Sequence, residues 1–199
     1  MIKFLQPLFL ILLPFTLPGQ MDLSMNETSL KSLAETDTTL ESNMIEAELG
    51  KLGEDFSVVS VDGAEAITIN SDWINSLNPG SADRVATYLV HFDEPGTYEL
   101  FARVRVGPAS WDDDSQFIPN GFGIKDPFQD TAWFRVNGLA SAGYTEASAL
   151  VDGGGSAPSG VWKWINLSQF AEGTGPKTYT VTEDSLTRIL QIGARENGL

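Results

Sequence analysis

The chain has 199 residues, 42% of them hydrophobic, no cysteine and a formal net charge of −15 at pH 7. That length allows one domain with a sizeable core, and the lack of cysteine excludes a disulfide-stapled scaffold. The acidic balance argues against DNA, RNA and anionic membranes as partners, because these need Lys/Arg-rich surfaces; it suits a soluble exported protein that meets neutral ligands or divalent cations.

Residues 1–20 read as a secretory signal peptide. Met1-Ile2-Lys3 is a positive start, Phe4 to Leu17 is an apolar run broken by Pro7 and Pro14, and Pro18-Gly19-Gln20 offers a small residue for cleavage. The run is too short and interrupted to span a membrane, so no membrane insertion is expected after cleavage. Residues 21–43 are rich in Ser, Thr, Asp and Glu and hold no aromatic residue. They read as a flexible polar leader. The folded domain is expected over residues 44–199.

Ile45 to Leu49 alternates like a strand, and Ser57–Val61 and Ala66–Ile69 are the next two candidates. Asn70 to Asp83 is a loop. Tyr88, Val90 and Phe92 alternate with other residues, as do Tyr98, Leu100, Ala102, Val104 and Val106. A period of two puts each set on one face of a sheet, and Pro95-Gly96 between them predicts a hairpin turn. Residues 107–131 read as a long loop. Ala132 to Gly138 is a strand ending in an Asn-Gly turn, and residues 141–160 are a second long loop. Val161–Leu167, Thr178–Thr182 and Arg188–Ile192 complete the set. No stretch has a helical period. Many short strands with turn signals between them predict an all-β fold, an antiparallel β-sandwich of the jelly-roll kind. Asn197-Gly198 is a hairpin signal followed only by Leu199. The closing C-terminal strand is therefore expected to be missing, with the chain a fragment or its open edge filled by another chain.

The aromatic residues carry the binding hypothesis. Sugar rings present C–H faces that pack on flat aromatic rings, while flanking polar groups take the hydroxyls. Trp111 stands in the first long loop, Tyr144 in the second and Trp73 in the loop before the expected hairpin. Trp162 and Trp164 share a strand face. Trp162, nearer the loop, is the expected platform, Trp164 is expected to be buried and Trp133 to be structural. Asp114 is a candidate hydroxyl contact within Trp111-Asp-Asp-Asp114, although a solvated acidic loop is the leading explanation of that run and a loose calcium site is another alternative. It is no EF-hand, because Phe117 and Gly123 stand at the sixth and twelfth positions counted from Asp112. Glu46 and Glu48, at i and i+2, would share a strand face. They would repel unless solvated or bridged by a cation; the alternative is an edge strand kept charged against aggregation. Gly153-Gly-Gly155 precedes a strand and lacks a following Gly-Lys, so it is no phosphate loop. His91 is the only histidine, expected as an ordinary strand residue. No nucleophile–histidine–carboxylate set can be assembled, and an enzyme is not expected.

Several segments, in order, resemble carbohydrate-binding modules of the family 6 and family 35 type, which are galactose-binding-like jelly rolls attached to secreted polysaccharide-degrading enzymes. Ile45-Glu-Ala-Glu48 is similar to their opening strand, and Tyr88 to Val104 to their "Gly-Thr-Tyr … Arg" pair of strands. Trp133-Phe-Arg-Val-Asn-Gly138, Trp162-Lys-Trp164 and Ile192-Gly-Ala-Arg-Glu-Asn-Gly-Leu199 resemble later motifs. The resemblance spans roughly residues 44 to 199. The tryptophan pair is one residue closer than usual, the last strand is absent, and the loops at 107–131 and 139–160 are long. It implies non-catalytic binding of a polysaccharide or oligosaccharide by a secreted module, a structural calcium ion held at Glu46 and Glu48, and a neighbouring catalytic domain or chain. Two other readings stand beside it. A structural or adhesive surface module without a sugar site would pack Trp111 and Trp162 inside. The leading part of a polysaccharide hydrolase or lyase would have a catalytic domain downstream.

Overall fold

The computed structural model describes residues 9–15, 44–74, 76–142, 150–151 and 159–198. Two sheets face each other, antiparallel except for the parallel pairing of Leu150–Val151 with Trp162–Asn166. The first contains β1 (Phe9–Phe15), β2 (Met44–Glu46), β6 (Gly96–Arg105), β9 (Leu150–Val151), β10 (Trp162–Asn166) and β11 (Thr178–Val181), in the order β2-β1-β6-β10-β9, with β11 also on β6. The second has the order β5 (Val85–His91), β12 (Thr187–Ala194), β7 (Gln116–Pro119), β8 (Trp133–Val136). A separate hairpin joins β3 (Phe56–Val61) to β4 (Ala64–Ile69). One helical turn, α1 (Leu167–Phe170), follows β10. This is an all-β sandwich, as the sequence predicts.

The period-two residues fill its interior. Tyr88, Val90 and Phe92 from one sheet meet Tyr98, Leu100, Ala102 and Val104 from the other, all buried. The Phe92 and Tyr98 rings lie 4.7 Å apart, tilted by 54°. At about 25 cal/mol per Å2 of apolar area removed from water, such side chains supply most of the folding energy.

The expected hairpin at Pro95-Gly96 is not one. β5 pairs with β12 over seven residues, whereas β6 pairs with β1, β10 and β11. The turn carries the chain from one sheet to the other, so the two apolar faces oppose each other across the core. A period of two states which face is buried, not which strand lies alongside. Within the loop expected at 107–131, Gln116–Pro119 forms β7 and pairs with β8 and the end of β12. The opening strand stops at Glu46, and Ala47–Leu49 is a 3-10 turn. Phe9–Phe15, inside the run read as a signal peptide, pairs with β2 and β6.

Candidate functional site

At one end of the sandwich, three loops converge on the turn after β12. Arg195 holds them. Its backbone carbonyl accepts from the Trp73 amide at 2.7 Å and from Arg84 Nη2 at 3.1 Å. Its Nη2 donates to the Ile74 carbonyl at 2.8 Å, and its Nη1 donates to Ser115 Oγ and Glu196 Oε1. Arg84, also buried, anchors the other side of the 71–74 loop through Ser71. Asp72 Oδ1 accepts from the Asn197 amide at 2.8 Å. One buried guanidinium with several partners thus fixes backbone from two distant parts of the chain.

The turn also meets the Trp111 loop. Gly198 (φ +89°) lies against Asp113, and a Cβ there would stand 2.6 Å from Asp113 Cγ. Asp113 Oδ2 in turn accepts from the Ala109 amide at 2.8 Å. Ser110, just before Trp111, has φ +59°. A left-handed conformation costs a residue with a Cβ about 1–2 kcal/mol, so the surrounding contacts must hold it there. Trp111, at 66% exposure, projects into solvent.

Trp73 is 46% exposed, and one edge of its indole covers Gly80, where a Cβ would lie 2.5 Å from Trp73 Cε2. The 71–80 loop continues onto residues 126–130 through Gly80 N–H to Pro127 O and Asn78 Nδ2 to Asp130 Oδ1 at 2.6 Å. Ile74, Leu77 and Phe128 are exposed on these two loops.

The remaining candidates fall elsewhere. Trp162 is only 8% exposed, because Ala64, Ala66, Val59 and Val61 of the β3–β4 hairpin fold over its face of the sheet. The Arg103 guanidinium lies 5.0 Å from its ring centroid. The platform expectation is corrected: Trp162 is covered, and Trp164, expected to be buried, is the more open of the pair. Trp162 instead forms a wall of a cavity of about 360 Å3, with Val59, Ala102, Arg103, Pro108 and Gly198 among its lining. Its Nε1 is buried with no hydrogen-bond partner among the described atoms. Trp133 is structural, as expected: it is buried and donates to Asp126 O. Tyr144 lies outside the described residues.

Asp114 is a second correction. It is buried, and its Oδ2 accepts from the Ala140 amide at 3.0 Å. Its backbone amide donates to Glu196 Oε2. Burial pushes its carboxyl above the ordinary carboxylate range, against the backbone hydrogen bond from Ala140 that favours the ionised form. It braces the loops from beneath and cannot reach a surface ligand. Lys163 is buried nearby on the inward face of β10 and donates to Leu139 O at 2.8 Å.

Glu46 closes β2 and Glu48 lies in the 3-10 turn, so they are not two positions of one strand. Each has a buried Oε2 without a hydrogen bond, and Glu46 acts on the Arg103 guanidinium. Calcium takes about 6–8 oxygen ligands. Among the described residues no three His, Cys, Asp or Glu side chains converge to hold a metal. Glu46 and Glu48 alone do not fit a calcium site.

No protein-family model matches this chain, and no curated protein or solved structure matches it either.

Proposed function

We propose that this protein is a secreted, non-catalytic module that binds neutral polysaccharide through the loop end carrying Trp73 and Trp111. One observation carries the reading. Two exposed indoles stand on loops that are both anchored to the Arg195–Gly198 turn, with Asp72 and Asp112 next to them in the chain and Asn197 in the turn bonded to Asp72. An exposed tryptophan on a braced loop offers a flat face without an ordering cost at binding. Neighbouring carboxylates and amides accept and donate to hydroxyls. A family 6 or 35 type module remains the family reading of the quoted motifs.

The test is affinity electrophoresis through gels containing neutral plant or algal polysaccharides, with calcium and with chelator. Retardation by one glycan, lost in Trp111→Ala and weakened in Trp73→Ala, supports the reading. A chelator effect would add a cation to it. A folded protein that no glycan retards moves the reading to a structural or adhesive module. The exposed Ile74, Leu77 and Phe128 beside Trp73 favour that second reading, because apolar side chains clustered on braced loops suit a protein partner.

A further inference from the structure

β1 occupies an unusual place. Phe9–Phe15 lies between β2 and β6, paired to β6 over six residues, from Leu10 opposite Ala102 to Phe15 opposite Thr97. It is an interior strand of its sheet, yet it lies far in sequence from both of its neighbours. Antiparallel neighbours can be linked by about 2–5 residues, whereas all of residues 16–43 separate β1 from β2. The strand is FLILLPF, without charge or a hydrogen-bonding side chain. Among the described residues, pairing of β1 with β6 reaches Ala102, while on the opposite edge β10 continues to Arg105. Ala102, Arg103, Val104 and Arg105 all line the 360 Å3 cavity. Successive strand residues point to opposite faces, so four in a row around one cavity mark a strand edge.

We propose that the space between β2 and β6 is a strand-acceptor site. It seats Phe9–Phe15 in the unprocessed chain. Once residues 1–20 are removed, it takes an uncharged apolar strand of a second polypeptide, antiparallel to β6. The second half rests on the reading of residues 1–20 as a cleaved leader, and the first does not. Without an occupant, the Thr97–Ala102 edge of β6 presents a row of unpaired N–H and C=O groups in the middle of a sheet, the template for strand addition. Main-chain hydrogen bonds supply affinity there, and apolar side chains of the incoming strand supply selectivity.

The experiment uses the full chain with a protease site placed within residues 21–43. After cutting, the N-terminal piece is expected to co-elute with the domain and to exchange for a labelled Phe9–Phe15 peptide carrying terminal lysines for solubility. The amides of Thr97, Glu99 and Phe101, which alternate with the Leu100 amide held by Ser168 on the other edge and so face β1, are expected to be protected from hydrogen exchange before and after. A peptide with Leu12→Asp should bind at least tenfold more weakly. Free exchange of those amides in the uncut chain overturns the proposal, as does release of the cut piece with no peptide taken up. Should the cut protein precipitate, Leu12→Asp in the intact chain decides: an unchanged Tm overturns the seat. Mass spectrometry of the exported protein separates the two halves. A start at Met1 overturns exchange with a second polypeptide and leaves the seat of Phe9–Phe15 standing or falling on the amide protection.

Discussion

Trp111 and Trp162 have the same side chain in opposite settings, and this separates binding from stability. Trp111→Ala removes an indole that is 66% exposed. Its Tm should move by no more than about 1–2 °C, as for a surface change of up to about 0.5 kcal/mol in a domain this size, while glycan retention disappears. Trp162→Ala empties a buried site, which costs about 3–5 kcal/mol and lowers Tm by roughly 10 °C. Paired thermal melts and affinity gels check both; loss of retention without loss of Tm in the Trp162 variant would move the sugar face into the cavity. Asp114 gives a pH test. Its folded pKa is raised by burial, so the native state holds the proton more tightly than the unfolded chain does. This group's contribution therefore favours the fold at low pH and is lost as pH rises from the ordinary carboxylate range through the raised folded value. Asp114→Asn keeps an oxygen for the Ala140 amide and cannot titrate. The Tm difference, wild type minus variant, should rise as pH falls through that window. A flat difference would show that the fold leaves Asp114 ionising as it does in the unfolded chain.

The loops and strands around Trp73 depend on one glycine. Gly80 has φ +75° and its Cα lies under the Trp73 indole. Gly80→Ala strains the backbone by about 1–2 kcal/mol and pushes the ring away. Retention should fall as far as it does in Trp73→Ala, with a Tm loss of only a few degrees; full retention would remove Trp73 from the binding face. The element level is also where sequence and structure part. Alternation at Tyr88–Phe92 and Tyr98–Val106 marks the core directly, because burial on one face imposes a period of two. It does not reveal that β5 and β6 belong to different sheets, since that depends on β12 from far along the chain. The β3–β4 turn was a legible signal that the reading of separate strands at Ser57–Val61 and Ala66–Ile69 leaves unused: Asp62-Gly63 is a two-residue hairpin signature, and both residues have positive φ. The cover it places on Trp162 was not, because nothing local to Trp162-Lys-Trp164 records a hairpin about a hundred residues earlier. Trp111 was legible as exposed from its polar loop. Its bracing by Gly198 and Asp113 was not, because it is a contact between distant turns.

At the scale of the whole molecule, the charge of −15 sets which glycans can approach. Like charges repel over about a Debye length, ~10 Å at 0.1 M salt and ~30 Å at 0.01 M. An anionic polysaccharide carries a dense row of charges and meets a net acidic domain, so its approach is penalised most in dilute buffer. Ring stacking on Trp73 and Trp111 is a contact interaction that salt leaves nearly untouched. Two titrations distinguish these forces. Retention by a neutral glycan should stay constant from about 0.01 to 0.5 M NaCl, a range over which the Debye length falls to about 4 Å. Retention by an anionic glycan should be absent in dilute buffer and rise, if at all, with added salt. A neutral-glycan signal that falls steeply with salt would mean that charge rather than stacking holds the ligand, and the two tryptophans would lose their assigned role. Strong binding of an anionic glycan in dilute buffer would require a local basic surface. Arg84 and Arg195 at the loop end cannot provide one, because both are buried and committed to backbone carbonyls.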